Sequence, residues 1–245
     1  MKPEETSDFA SFDYFTIQGI PEQVLRVELL EGRLSELSKA EDPRILEIGI
    51  GNGDVTQMLT RRFNQVTCID SDETACEKVK GRLREMGLSQ PEFITSNIED
   101  ADLPSECYDH VVLLNLLEHL KNPVDVLKQL KGCLSSGGCI HITVPLANSL
   151  HRWLGVSMGM ISSPEDLAES DVRFGHYRVY THRMLEEQIE SAGLSVSFKQ
   201  GFYLKSLPTA MLTPLPMELH KGLFKLGERF PELAAYAYAE ARAAG

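Results

Sequence analysis

The chain has 245 residues, 42% of them apolar and 24% charged, with 36 acidic against 24 basic side chains and a formal net charge of −12. These are the proportions of an ordinary globular domain, and no apolar run approaches the ~18 residues of a membrane span. The acidic balance disfavours nucleic-acid substrates, whose binding rests largely on neutralising phosphates with basic side chains.

Five cysteines (Cys68, Cys76, Cys107, Cys133 and Cys139) include no Cys-x-x-Cys pair, and the first residues are acidic with no apolar segment behind them. That combination predicts free thiols in a reducing, cytoplasmic compartment. Seven histidines are scattered without metal-ligand spacing, so no metal site is expected.

Residues 1–20 carry Phe9, Phe12, Tyr14 and Phe15 and are expected to fold back over the body. Pro21 opens a helix with Val24, Leu25, Val27, Leu30, Leu34 and Leu37 at mostly helical spacing, closed by Glu41-Asp42-Pro43. Residues 1–40 thus read as an N-terminal helical cap. A strand–helix alternation follows. Strands are expected over Arg44–Ile48, Gln65–Ile69, Pro91–Thr95, Tyr108–Leu114 and Cys139–Val144. Helices are expected up to about Phe63, over Asp72–Met86 and over Pro123–Leu134, with Ser135-Ser136-Gly137-Gly138 as a turn. Such alternation requires a parallel sheet with right-handed crossovers.

After Pro145 the rhythm breaks. A structureless stretch from 146 to about 180 would be long for a compact domain, so it is expected to carry its own helix and cover a site as a lid. A helix over Thr181–Ala192, a strand over Leu194–Lys199, a tight turn at Gln200-Gly201 and a strand over Phe202–Leu207 then complete a domain spanning 41–207. The remainder, 208–245, reads as two short helices parted near Pro231.

The most informative segment is Glu47-Ile48-Gly49-Ile50-Gly51-Asn52-Gly53-Asp54, an acidic strand end followed by Gly-x-Gly-x-Gly and a helix. Glycines there let the backbone turn sharply and approach a ligand, with helix N–H groups beyond. A dinucleotide-binding loop would need a third glycine where Asp54 stands, and a carboxylate at a helix start repels a pyrophosphate. A phosphate loop would need a following Gly-Lys-Ser/Thr. The second anchor is Asp70, ending the strand Val66-Thr67-Cys68-Ile69. A carboxylate at that tip can accept both hydroxyls of a ribose, although it could equally cap the next helix.

LEIGIGNGD (46–54), VTCIDSD (66–72), FITSNIEDADLP (93–104), YDHVVLLNLLEHLKNPVDVLKQLKGCLSSGGCIHITVP (108–145) and GHYRVYTHRMLEEQIESAGLSV (175–196) follow in one order. With them the chain resembles the class I S-adenosylmethionine-dependent methyltransferases, and within these a small-molecule branch similar to the ubiquinone-biosynthesis type. The resemblance implies an α/β fold: a Rossmann-like, seven-stranded, mostly parallel sheet with helices on both faces and an antiparallel last strand. It also implies S-adenosyl-L-methionine as cofactor and S-adenosyl-L-homocysteine as product. Glu47 would lie near the methionine amino group, with Gly49, Gly51 and Asn52 along the methionine and ribose. Asp70 would take the ribose hydroxyls and Ser71 the adenine. Asn97, where many relatives have Asp, could still accept from the adenine amino group, beside Ile98. Asn115 and Leu116 would close the pocket, and Tyr14 could fold over it.

Methyl transfer from a sulfonium mainly needs a positioned nucleophile and a dry site, with a base only where the acceptor carries a proton. His119 is the first base candidate, because it follows the strand whose end faces the methyl group in this fold; a structural hydrogen bond is an equal reading. His176 and Tyr177, in the lid, come next, and Trp153 could stack on an acceptor. Asn115-Leu116-Leu117-Glu118 is not the Asn/Asp-Pro-Pro-aromatic sequence of base or glutamine methylation, and no Pro-Cys stands there for cytosine chemistry. The expected reaction is methylation of an O, N or C atom of a small metabolite. A peptide methyltransferase and a non-catalytic cofactor-binding domain are the alternatives.

Overall fold

The computed structural model describes residues 20–38 and 41–244. Tyr14 and the other aromatics of the first nineteen residues lie outside them. Helix α1 (Pro21–Leu37) starts with proline at its first turn, where the missing N–H costs nothing, and buries Leu25, Leu30 and Leu34. The alternation then runs β1 (Arg44–Ile48), α2 (Asp54–Arg62), β2 (Gln65–Asp70), α3 (Glu73–Glu85), β3 (Glu92–Thr95), β4 (Tyr108–Leu114), α4 (Pro123–Cys133) and β5 (Leu134–Pro145). Short 3-10 turns stand at Ile98–Asp100 and Leu117–His119.

Seven strands form one sheet in the order β3-β2-β1-β4-β5-β7-β6. Strands β3, β2, β1, β4 and β5 pair in parallel. Successive side chains feed opposite faces, as a strand's period of two demands. Leu46, Ile48, Val111 and Leu113 pack with Val126, Leu127, Leu130, Leu185 and Ile189 of the helices on one face. Ile45, Cys68 and Val112 pack with Leu30, Leu34, Leu59, Val79 and Leu83 on the other. Helices therefore cover both faces, which is why the central strands are apolar throughout.

The segment expected to act as a lid carries α5 (Leu150–Ser157) and α6 (Glu169–Arg173). It rejoins the sheet through a parallel bridge from Leu146 to Tyr180. Then come α7 (His182–Ser191), β6 (Leu194–Phe202), α8 (Thr209–Leu212), α9 (Met217–Arg229) and β7 (Tyr236–Ala243).

Four expectations differ from the observed fold. Gln200-Gly201 is not a turn: β6 continues through it, pairing Gln200 with Tyr238 and Gly201 with Ala237. The strand expected over Phe202–Leu207 therefore does not form, and the antiparallel last strand is β7. In the segment 208–245, helices α8 and α9 reach only to Arg229 and a 3-10 turn, Pro231–Leu233, follows; instead of a second helix past Pro231, β7 inserts between β5 and β6 and runs antiparallel to both. Ser135 to Gly138 belong to β5, where the register against β4 shifts between Tyr108 and His110.

Candidate active site

The strand order reverses at β1: β2 and β3 lie to one side, β4 and β5 to the other. In an open α/β sheet the crevice beyond the carboxyl ends of the diverging strands is where a ligand fits. The loops leaving β1 and β4 border that crevice. Gly49, Gly51 and Gly53 all adopt positive φ, at 76°, 52° and 76°, a conformation that alternate glycines allow at little cost. Two of them also permit close approach. A Cβ on Gly49 would come within 3.2 Å of Leu116 Cδ1, and one on Gly53 would clash with Val79 at 2.6 Å.

Asn52 is buried beside the loop. Its Oδ1 accepts from Asp54 N at 3.1 Å, and its Nδ2 donates to Asp54 Oδ2 at 2.8 Å and to Gln23 Oε1 of α1 at 3.4 Å. Asp54 in turn faces Arg82 at 3.5 Å. Asn52 thus ties the loop to α1, and Gln23, which composition and spacing gave no reason to single out, borders the site.

Glu47, at 2% exposure, receives a hydrogen bond from the Cys68 thiol at 3.4 Å. Burial pushes its carboxyl up to about 8. Asp70 accepts from Ile50 N and from Asp72 N, both at 2.8 Å, so one carboxylate pins the glycine loop and the start of the next helix together. Burial raises its pKa and those backbone donors oppose the rise. The next helix is capped by Asp72, which accepts from Thr74 and Ala75. Ser71 is exposed at the strand tip. Asn97 is exposed as well and caps the 3-10 turn by accepting from Glu99 N at 3.1 Å, while Ile98 is buried under it.

Beyond β4, Asn115 has φ 51°, a left-handed conformation uncommon outside glycine. It is held by Thr143 of β5, whose hydroxyl donates to Asn115 Oδ1 at 2.7 Å and accepts from Asn115 N at 3.1 Å. This bend turns Leu116 toward Gly49 and sends the chain into the 3-10 turn bearing Glu118 and His119. Glu118 is fully buried, and among the described residues neither carboxyl oxygen has a hydrogen-bond partner. Burial pushes its carboxyl up to about 7, with His176 opposing.

His119 meets His176 of the lid edge-on, ring centroids 4.7 Å apart. Burial first, and His176 second, push the His119 imidazole down to about 4, against backbone hydrogen bonds to Gly175 and Phe174. Of the three base candidates, His119 and His176 are brought together. Tyr177 contributes its backbone N–H, donated to Glu118 O at 2.8 Å, while its side chain is 45% exposed. Trp153 is exposed on the lid at 44%. Arg178 clamps the turn from the other side, donating to the carbonyls of Leu117, Leu120 and Lys121.

Glu118, His119 and His176 each offer one ligand atom, and these atoms lie within 4.8 Å of one another. Spacing along the chain could not reveal this trio, because His176 arrives from the lid. The one available signal was Glu118 itself, an acidic residue in the apolar run Leu116-Leu117 before His119.

Residues 46–142 match the family described as "Methyltransferase domain". The chain is 30% identical over 115 residues to a ubiquinone biosynthesis O-methyltransferase of Stutzerimonas stutzeri, covering 46% of this chain and 47% of that protein. It therefore spans about half the length of this curated relative. Among solved structures, the magnesium protoporphyrin IX methyltransferase of Synechocystis, with bound S-adenosylhomocysteine, aligns at TM-score 0.65 and 13% identity over 99% of this chain and 90% of that one. A cyclase aligns at TM-score 0.62 and 17% identity over 89% and 81%. At such identities these two structures establish the fold. Glycine loop, Asp70, seven-stranded sheet and family match agree, and residues 46–142 are a methyltransferase domain of the class I, S-adenosylmethionine-dependent family, similar to the ubiquinone-biosynthesis type.

Proposed function

We propose that the chain transfers the methyl group of S-adenosylmethionine to an oxygen, nitrogen or carbon of a small metabolite. The observation that carries this reading is the glycine loop folded against Leu116 and pinned by Asp70 at the point where the strand order reverses. The residues present fit the cofactor. The left-handed Gly49 and Gly51 leave the backbone bare, Asp70 keeps unshared acceptor capacity at the strand tip, and the buried Glu47 borders the loop. When bound, S-adenosylmethionine supplies an activated methyl group on a good leaving group.

The chain's own residues then have three tasks. Gly49, Gly51, Asn52 and Asp70 hold the cofactor; Asn115 and Leu116 close its pocket. The lid excludes water above it. His119 and His176 stand where a proton leaving a hydroxyl or amine acceptor could be taken up.

The acceptor is proposed to be a small molecule because the segment between β5 and α7 packs His176 against His119, as a cover over the site would, and the charge of −12 opposes nucleic acid. The Stutzerimonas relative's name, an O-methyltransferase of ubiquinone biosynthesis, points the same way. Calorimetry with S-adenosylmethionine should show one site per chain, and labelled cofactor with a metabolite extract should yield a labelled small molecule. Binding of NAD without S-adenosylmethionine binding would overturn the reading; label found only on peptides would redirect it to a peptide acceptor.

The buried, unpartnered Glu118 carboxyl supports a second reading of the proton chemistry. A divalent cation held by Glu118, His119 and His176 would orient acceptor oxygens and ease their deprotonation. Elemental analysis of the purified protein, repeated on Glu118→Gln, decides between them: a stoichiometric metal lost in the variant supports the cation, and a metal-free, chelator-insensitive enzyme supports the imidazoles.

A further inference from the structure

The lid carries more than His176. Arg152, on α5, is 8% exposed and faces inward, donating to Pro164 O at 2.7 Å, to Asp166 O and to Asp171 Oδ2 at 2.9 Å. Asp171, on α6, uses the same Oδ2 to accept from Ala168 N at 2.8 Å. Its second oxygen, Oδ1, faces His176 Nδ1 at 3.5 Å, and the backbone N–H of His176 donates to Asp171 O at 2.9 Å. Both side chains are nearly buried, at 12% for His176 and 13% for Asp171. Among the described residues His176 Nδ1 has no hydrogen-bond partner closer than this, although it is shielded from water. A buried ring nitrogen facing a carboxylate resolves its cost by carrying the proton and donating it.

We propose that Asp171 is a positioning residue for His176, fixing the ring as the Nδ1–H tautomer so that Nε2 carries the lone pair, with Arg152 fixing Asp171 in turn. The lid then delivers imidazole and orienting carboxylate to Glu118 and His119 as one preassembled unit. The inference deepens the proposed function: Nε2 is the atom that accepts a proton from the acceptor, or in the second reading ligates the cation. The gap of 3.5 Å fits a pair that shortens into a hydrogen bond when the site is loaded. A capping role alone explains Oδ2 but leaves Oδ1 and the shielded Nδ1 facing each other without a reason.

The test is the tautomer itself. Full-length protein labelled with nitrogen-15 in its histidines, at pH 8, shows in long-range proton–nitrogen correlation which ring nitrogen carries the proton; His176→Asn assigns the signals. The expected result is a proton on Nδ1 in the wild type, and a shift toward the Nε2–H or an averaged pattern in Asp171→Asn. That variant keeps an oxygen for Ala168 N and so keeps the helix cap. A proton on Nε2 in the wild type, or an unchanged His176 pattern in a folded Asp171→Asn, overturns the proposal. The wild-type spectrum decides the matter even if the variant does not fold. No methyl acceptor is needed, so failed turnover would sink the proposed function and leave this result standing.

Discussion

At the scale of single residues, the proposed function places binding and proton handling on different groups. Asp70 both pins the glycine loop and presents acceptor oxygens at the strand tip, whereas His119 belongs to the turn beyond β4. Asp70→Asn keeps the volume and one acceptor oxygen but loses the charge-assisted bonds, which are roughly twice as strong as neutral ones. Its affinity for S-adenosylmethionine is expected to fall by about 10- to 100-fold, matching the loss of ~1.5–3 kcal/mol for hydrogen bonds to a charged group. His119→Ala is expected to leave that affinity within about threefold and to remove most of the turnover, since proton transfer contributes roughly 100-fold or more. Equal losses of affinity in the two variants, by calorimetry, would show that no such division exists.

The glycine loop was legible in the sequence because its information is local: three alternate glycines, an acidic strand end and a carboxylate after the next strand. Asp171, Arg152 and the pairing of His119 with His176 were not legible, since lid and β4 meet only through the fold. Asn97 was legible as a polar residue after β3, but its role as a turn cap follows from backbone direction, which spacing does not report.

At the scale of elements, β7 shows how propensity misleads. Tyr236-Ala237-Tyr238-Ala239-Glu240-Ala241-Arg242-Ala243 is rich in alanine, the best helix former. Its period, however, is two. Ala237, Ala239 and Ala241 pack in the core on one face of the sheet, and Tyr238 packs with Leu25 and Phe202 on the other. Small side chains let the strand fit between β5 and β6, and tertiary pairing on both edges outweighs a preference of a few tenths of a kcal/mol per residue.

Gly201 misled similarly. It is a glycine because a Cβ there would come within 2.6 Å of Pro231 Cα, a close approach within a strand. The same logic sets opposite outcomes for two glycines of α9. At Gly227 a Cβ would stand 2.2 Å from Tyr203 N and 2.4 Å from Phe202 C, so the helix lies directly on backbone. Gly227→Ala must push α9 off β6 and is expected to cost at least about 2 kcal/mol, at the upper end of overpacking. Gly222, in the same helix, is exposed, and a Cβ added there would meet nothing within 4 Å. Gly222→Ala should stabilise by about 0.5–1 kcal/mol through helix propensity alone. Thermal unfolding of both variants checks the pair; equal shifts would show that α9 is not seated as described.

At the scale of the whole molecule, the inserted strand completes a buried polar chain that ties α1 to the sheet. Ser38 Oγ lies 3.2 Å from His110 Nε2, His110 Nδ1 lies 3.0 Å from His141 Nε2, and His141 Nδ1 lies 2.6 Å from the Tyr238 hydroxyl. Tyr238 donates to Glu240 at 3.2 Å, and Arg33 of α1 holds Glu240 through two bonds at 2.6 and 3.0 Å. With the tyrosine proton turned to Glu240, each imidazole must donate through Nδ1 and accept through Nε2, so both are satisfied as neutral rings.

Burial pushes His110 down to about 4 and His141 well below its ordinary value, and it pushes His151 of the lid down to about 3. Above about pH 6.5 these rings are neutral in both folded and unfolded chains, and they contribute no pH dependence. Below it the unfolded chain takes up protons first, so stability falls as pH falls, by about 3 kcal/mol for His110 alone by pH 4. Glu47 acts in the opposite sense. Its folded carboxyl, raised to about 8, keeps its proton where the unfolded one has lost it, so stability falls as pH rises from about 4.5 to 8. His119, lowered to about 4, joins the three histidines, and Glu118, raised to about 7, joins Glu47; four histidines outweigh two glutamates below pH 6.5, and only the glutamates act above it. Urea unfolding of the cofactor-free protein should therefore give a maximum near pH 6.5, with His110→Gln flattening the acid limb and Glu47→Gln the alkaline one. Stability that keeps rising from pH 6.5 to 8 would mean that Glu47 is ionised in the folded chain, as it would be if a cationic group already faced it.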